Sequence, residues 1–211
     1  YVEKPKHGHF RDIWMGVLKP FNINPTSKEY DLFINDQLIN QAQNFVKKYT
    51  SKFLVGINLE GAVKGKKIRF PELDKICKGL YKQDNNIQII ILSAPNNFQE
   101  VSQKVKEMAL YYVEMSYKTD KILSVAALIS QLDLIITPDT SIVHIASSFN
   151  KPIVTIHEDN RYSYELFAPT SKLNRTVFSK SKNNLNGFSL DLLLSYCYEL
   201  INLIKRVDHE Q

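Results

Sequence analysis

Glycine is scarce in this chain, and the glycine-rich turns that cradle phosphates are missing. Only 7 glycines occur in 211 residues, and they form neither G-x-G-x-x-G nor G-x-x-x-x-G-K-[ST]. That argues against a dinucleotide-dependent dehydrogenase and against a P-loop nucleotidase. Cysteine is scarcer still. Cys77 and Cys197 lie in separate helix-like runs without CxxC or metal spacing, so both are expected to be reduced, half-buried apolar residues. No apolar run approaches the ~18 residues of a membrane span. No charged-then-apolar leader opens the chain, which makes the cytoplasm the default compartment. The first residue is Tyr1 rather than Met, and a processed or truncated product is expected.

What is present is ordinary in bulk. The chain is 44% hydrophobic and 23% charged, with a formal net charge of +5, as suits one sizeable α/β domain with attached helices. The mild positive charge gives a weak pull toward nucleotides or a phospholipid surface. No nucleic-acid partner is expected.

The first fifty residues differ from the rest. Phe10 to Leu18 is helix-like and stops at Pro20, Asn22 to Ser27 is loop chemistry, and Asp36 to Tyr49 carries an apolar helical face. Residues 1–50 are expected to be a connector, and 51–211 the main domain. There the pattern alternates. Strands are expected at Phe53–Leu59, Ile87–Leu92, Tyr111–Met115, Leu132–Thr137 and Pro152–Ile156. Helices are expected from Pro71 to about Tyr81, from Phe98 to Met108, from a Thr119 or Asp120 cap to about Gln131, and from Thr140 to Phe149. A Tyr- and Pro-rich loop, a weak strand at Arg175–Phe178 and a helix from Leu190 to about Arg206 complete the chain. Near-continuous apolar strands between helices of about a dozen residues indicate a Rossmann-like parallel sheet covered on both faces.

The junction Asp139-Thr140-Ser141-Ile142-Val143-His144 is the most informative stretch. It links a strand to a helix start, where free N–H groups and a partial positive charge favour an anion. Thr140 and Ser141 add hydroxyl donors, and His144 lies one turn on. A phosphate-bearing ligand is expected there.

The wider segment, Asp133 to Pro152, resembles the signature of the lipopolysaccharide heptosyltransferases, glycosyltransferase family 9: an aspartate, Thr or Ser, a small residue, two variable positions, His, an apolar residue and Ala, with Pro opening the next strand. Gly61-Ala62 and Arg69-Phe70-Pro71-Glu72 are similar to its Gly-Ala turn and Lys-x-Trp-Pro segment. Here Phe70 replaces Trp, and Ile68 occupies the place of the phosphate-binding lysine. Tyr164 to Ser171 is similar to the loop bordering the donor cleft. The likeness covers about residues 53–206.

The resemblance implies the C-terminal, nucleotide-sugar-binding half of a GT-B fold, with ADP-heptose as the donor and a lipopolysaccharide core as acceptor. The acceptor domain, and with it the general base, lies elsewhere, and a peripheral membrane contact follows from such an acceptor. Asp139 would lie against the sugar or the phosphate turn, with Thr140, Ser141 and Lys66 or Lys67 on the pyrophosphate. His144 would steady the site, Gly61 would form the turn, Glu100 would bind the ribose, and Thr119-Asp120 would flank the base. No divalent metal or other cofactor is then needed.

Plainer readings stand beside these. Asp139 also suits an N-cap, a lone helical histidine is commonly structural, Lys64-Gly65-Lys66-Lys67 reads as a solvated loop, and Glu100 as helix surface. His157-Glu158-Asp159 reads as a loop lip, because three adjacent residues cannot all face one ion. The rival functions are a UDP- or GDP-sugar enzyme of the same fold, a non-catalytic nucleotide-binding module and, more distantly, a Rossmann oxidoreductase.

Overall fold

The computed structural model describes residues 8–61 and 65–209, with side chains through 207. Six strands form one sheet: β1 (Phe53–Asn58), β2 (Ile87–Leu92), β3 (Val113–Met115), β4 (Leu134–Pro138), β5 (Ile153–His157) and β6 (Asn174–Phe178). Their order is β3-β2-β1-β4-β5-β6, and every pairing is parallel. Every residue of β1, β2, β4 and β5 is buried. This is why those strands read as unbroken apolar runs, with layers on both sides.

One face is covered by α3 (Phe70–Gln83), α4 (Phe98–Met108) and α8 (Leu190–His209). Leu73, Ile76, Cys77 and Leu80 of α3 and Leu193, Cys197, Leu200 and Ile201 of α8 repeat at helical spacing and share one core. Burial pushes both thiols far above their ordinary pKa, so they act as small apolar residues. The other face is covered by α5 (Ile122–Ser130) and α6 (Ser141–Ser148), through Leu128, Ile129, Val143 and Ala146.

Before the sheet come α1 (Phe10–Met15), a 3-10 turn over Gly16–Phe21 that runs through Pro20 instead of stopping there, and α2 (Asp36–Val46). Leu32, Ile34, Phe45, Val46 and Tyr49 pack onto the core beneath α5 and α6, so packing is continuous across residue 50. Two other elements depart from expectation. Lys121, not Thr119 or Asp120, is the N-cap of α5. The segment read as a loop after β5 contains α7 (Arg161–Phe167), started by Asn160 Oδ1 accepting the Ser163 N–H at 3.0 Å.

The strand order reverses between β1 and β4. In open parallel sheets the crevice outside the carboxyl ends at such a reversal is where ligands sit.

Candidate functional site

At that reversal the ends of β1 and β4 are tied together by one amide. Asn58, the last residue of β1, donates through Nδ2 to Thr137 Oγ1 (2.9 Å), the Glu60 carbonyl (3.1 Å) and Thr140 Oγ1 (3.3 Å). Thr140 is the N-cap of α6, extended at φ −148°, and its hydroxyl accepts the Ile142 N–H at 3.2 Å. The capping role offered for Asp139 therefore belongs to Thr140, which frees the Asp139 carboxylate for other contacts. The far end of α6 turns out through Asn150 at φ +50°, and the chain passes directly into β5.

The loop after β1 folds back on itself. Gly61 N–H donates to Lys66 O (3.0 Å) and Ile68 N–H to Leu59 O (2.8 Å). Ile68 is fully buried and anchors the loop, which explains an apolar residue where the family pattern has lysine. Beyond it, Glu72 Oε2 accepts the Arg69 N–H at 2.9 Å at the start of α3. A methyl group on Gly61 would sit 2.7 Å from Thr140 Cγ2, so only glycine lets this loop approach α6 so closely.

These elements frame a cleft of about 690 Å³. Of the residues singled out from sequence, Gly61, Lys66, Thr119, Asp120, Asp139, Thr140 and Ser141 line it. Three do not. Lys67 turns to Glu60 (3.6 Å) and lies over the Phe70 ring. Glu100 is exposed in the first turn of α4. His144 lies edge-on to Tyr30 and Phe167, with ring centroids at 5.9 and 6.2 Å; burial holds its pKa below the ordinary value, His9 adds to this, and Asp139 opposes it. Ala62 and Lys64 lie outside the described residues.

Among the described residues two lysines line the cleft, the exposed Lys121 and the nearly buried Lys66. The Lys66 Nζ is 2.6 Å from Asp139 Oδ2 and 3.5 Å from Glu158 Oε1, and the three side chains are only 13%, 11% and 13% exposed. At that burial the attraction is little screened. Behind them, His157 Nδ1 is 3.9 Å from Asp139 Oδ2. His157 closes β5 and is packed against Tyr164 and Phe178, so it belongs to the strand and not to a loop lip. Burial pushes its pKa down to about 4; Asp139 opposes this, while Lys66 and His144 add to it. The imidazole is neutral at pH 7.

Sequence reasoning did not single out Asn58, Glu60 or the contact of Glu158 with Lys66. Glu60 lines the cleft with a side chain only 8% exposed. It accepts from Ser93 Oγ at 3.2 Å and from Asn97 Nδ2 at 2.8 Å. The signal available was its place directly after a strand carboxyl end. At the β2 and β3 side the lining becomes more apolar, with Pro95, Ile122 and Val125 beside Thr119 and Asp120. Among the described residues no three His, Cys, Asp or Glu side chains are grouped to hold a metal ion, and no helix is long and apolar enough to cross a membrane.

The chain resembles several solved structures. A glycosyltransferase of family 9 from Veillonella parvula superposes with a TM-score of 0.79 at 19% identity, over 95% of this chain and 62% of that one. The E. coli ADP-heptose lipopolysaccharide heptosyltransferase II gives 0.66 at 15% identity, over 88% and 56%. The E. coli heptosyltransferase WaaC with ADP gives 0.58 at 18% identity, over 75% and 48%. At these identities the likeness is one of fold, and this chain spans roughly half to three fifths of the length of those proteins. No curated protein sequence matches it. The family model for glycosyltransferase family 9 (heptosyltransferase) matches residues 24–189, most of the chain and the whole of the cleft just described. The chain belongs to glycosyltransferase family 9.

Proposed function

We propose that this chain is the nucleotide-sugar-binding half of a two-domain glycosyltransferase, which passes heptose from ADP-heptose to a lipopolysaccharide-type acceptor. The observation that carries the reading is the cleft at the β1/β4 reversal, where Lys66, Thr140 and Ser141 converge at the start of α6. A helix start leaves its first amides without intrahelical acceptors. Those amides, two hydroxyls and one ammonium suit a diphosphate, and they suit it best as charge develops on the leaving group. The ADP named with one structural relative and the ADP-heptose named with another support adenine and heptose.

The nucleotide would lie across the strand ends. Its diphosphate would sit over β4 and β1, its ribose beside Glu60 rather than Glu100, and its base against Thr119, Asp120, Ile122 and Val125. Asp139, held by Lys66, would face the transferred sugar. In this reading no divalent cation is required, because Lys66 and the helix start supply the positive charge. The base that takes the acceptor's proton comes from outside this chain, as does the acceptor site. A lipid-borne acceptor brings the enzyme to a membrane surface as a peripheral partner.

The burial of Ile68 favours a second reading, a nucleotide-binding module without catalysis, since the family's lysine position is spent on the core. Lys66 fills the vacated role from two residues earlier, so the first reading is preferred. Calorimetric titration with ADP, UDP and GDP, with and without magnesium, tests both. Metal-independent binding that favours ADP is expected. Preference for UDP or GDP would discard the ADP-sugar donor, and no binding to any of the three would overturn the donor-site reading for this chain.

A further inference from the structure

The charge around Lys66 does not balance. One ammonium faces two carboxylates, Asp139 at 2.6 Å and Glu158 at 3.5 Å, all three nearly buried. The flanking charges do not offset the excess: Lys67 is engaged by Glu60, and Arg161 lies 3.8 Å from Asp159 and over the Phe178 ring. The group formed by Lys66, Asp139 and Glu158 therefore carries one surplus negative charge, and the cleft's other lysine, the exposed Lys121, has Asp120 beside it in sequence. Asp139 lines the cleft, whereas Glu158 does not and reaches it only through Lys66. Glu158 is thus not placed to hold a ligand. It is placed to compete with one for its cation.

The two ligands that such a site handles differ in charge at the same position. In a nucleotide-sugar the outer phosphate is a diester with a single negative charge. In the nucleoside diphosphate left after transfer it is a terminal phosphate, with roughly one further charge near pH 7. In a site of low effective dielectric, a fixed carboxylate a few ångströms behind the phosphate repels the second species more than the first.

We propose that Glu158 is a specificity-determining residue that disfavours the nucleoside diphosphate product relative to the nucleotide-sugar donor. It does so by sharing Lys66 and placing a negative charge behind the outer phosphate. The proposal rests on the donor-site reading above. Glu158 forms and breaks no bond in the reaction. It lowers the affinity of the site for the spent donor, and so speeds its exchange for a fresh one.

The test is calorimetry of the chain and of Glu158→Gln with two probes, ADP and ADP-glucose, at pH 7.5 and constant ionic strength, with melting curves for both proteins. The expected result is a gain: Glu158→Gln binds ADP about tenfold more tightly and ADP-glucose about threefold more tightly or less. Mere damage to the fold would weaken both, so Glu158→Ala serves as a second variant that must move in the same direction. Equal changes for the two probes, no change, or loss of both would overturn the proposal while leaving the donor-site reading intact. If the unaltered chain bound neither probe, the donor-site reading would fall, and this proposal with it.

Discussion

Lys66 and Asp139 come from loops 73 residues apart and meet at 2.6 Å, each almost closed off from solvent. The pair joins the loop after β1 to the loop after β4 across the reversal of the sheet. Removing one partner of such a pair leaves an uncompensated buried charge, at a cost of about 3–5 kcal/mol. Here it would leave two carboxylates facing each other. Lys66→Met should therefore destabilise the chain by about that amount in urea unfolding at pH 7.5. It should also abolish ADP binding by calorimetry. A variant of undiminished stability would show that the pair is solvated in solution.

Glu60 gives a second prediction. Each of its oxygens accepts one hydrogen bond from the protein, and a carboxylate has about four acceptor positions. A vicinal diol fits what remains. The chain should bind 2′,3′-dideoxy-ADP at least about tenfold more weakly than ADP, in line with loss of hydrogen bonds to a charged group. Glu60→Gln should weaken ADP without weakening the dideoxy compound. If Glu60→Gln weakened both equally, Glu60 would be only a clamp between the loops after β1 and β2.

Gly61 and Thr140 should behave as one unit. The methyl of Gly61→Ala would fall 2.7 Å from Thr140 Cγ2, pushing the threonine off the cap it forms at the start of α6. Overpacking and a lost cap together amount to about 1–3 kcal/mol. Thr140→Ser keeps the hydroxyl and removes the obstructing methyl, so the double variant should recover much of both stability and ADP affinity. A double variant no better than Gly61→Ala would place the strain elsewhere.

His157 sets a pH dependence. An unfolded histidine titrates near 6.5, whereas burial pushes the folded one down to about 4. Between these values the unfolded chain binds more protons, so stability rises with pH. The contribution is complete above about 6.5 and is lost as pH falls through the window toward 4, with a size on the order of 3 kcal/mol. The half-buried His144 acts in the same direction. Urea midpoints of the chain should fall between pH 7 and 4.5, and less steeply in His157→Phe. Parallel slopes for the two proteins would assign the dependence to other groups.

The sheet was legible because its strands are buried on both faces. Ile87 to Leu92 reads as a strand in either representation, and Phe98 to Met108 matches α4 residue for residue. The part of the cleft lined by Asp139, Thr140 and Ser141 was legible for a related reason, since the three residues are consecutive. What escaped depends on contacts distant in sequence. Glu60 becomes informative only when the loop after β2 brings Asn97 to it, 37 residues later. His157 looked like a lip because its burial comes from pairing with Phe178 across β6. The helix α7 was missed because seven residues rich in tyrosine carry too little periodicity. Glu100 was placed by spacing along the chain, and spacing cannot tell which side of a helix a carboxylate occupies.

The three hydrogen bonds of Asn58 also bear on how the molecule assembles. Two of them join positions 79 and 82 residues apart, so this end of the cleft exists only after the two central strands have found each other. Such long-range pairing comes late and slowly in folding. A ligand held there cannot be retained by a partly unfolded chain. Its binding should therefore slow amide exchange in β1 and β4 as strongly as in the loops that touch it.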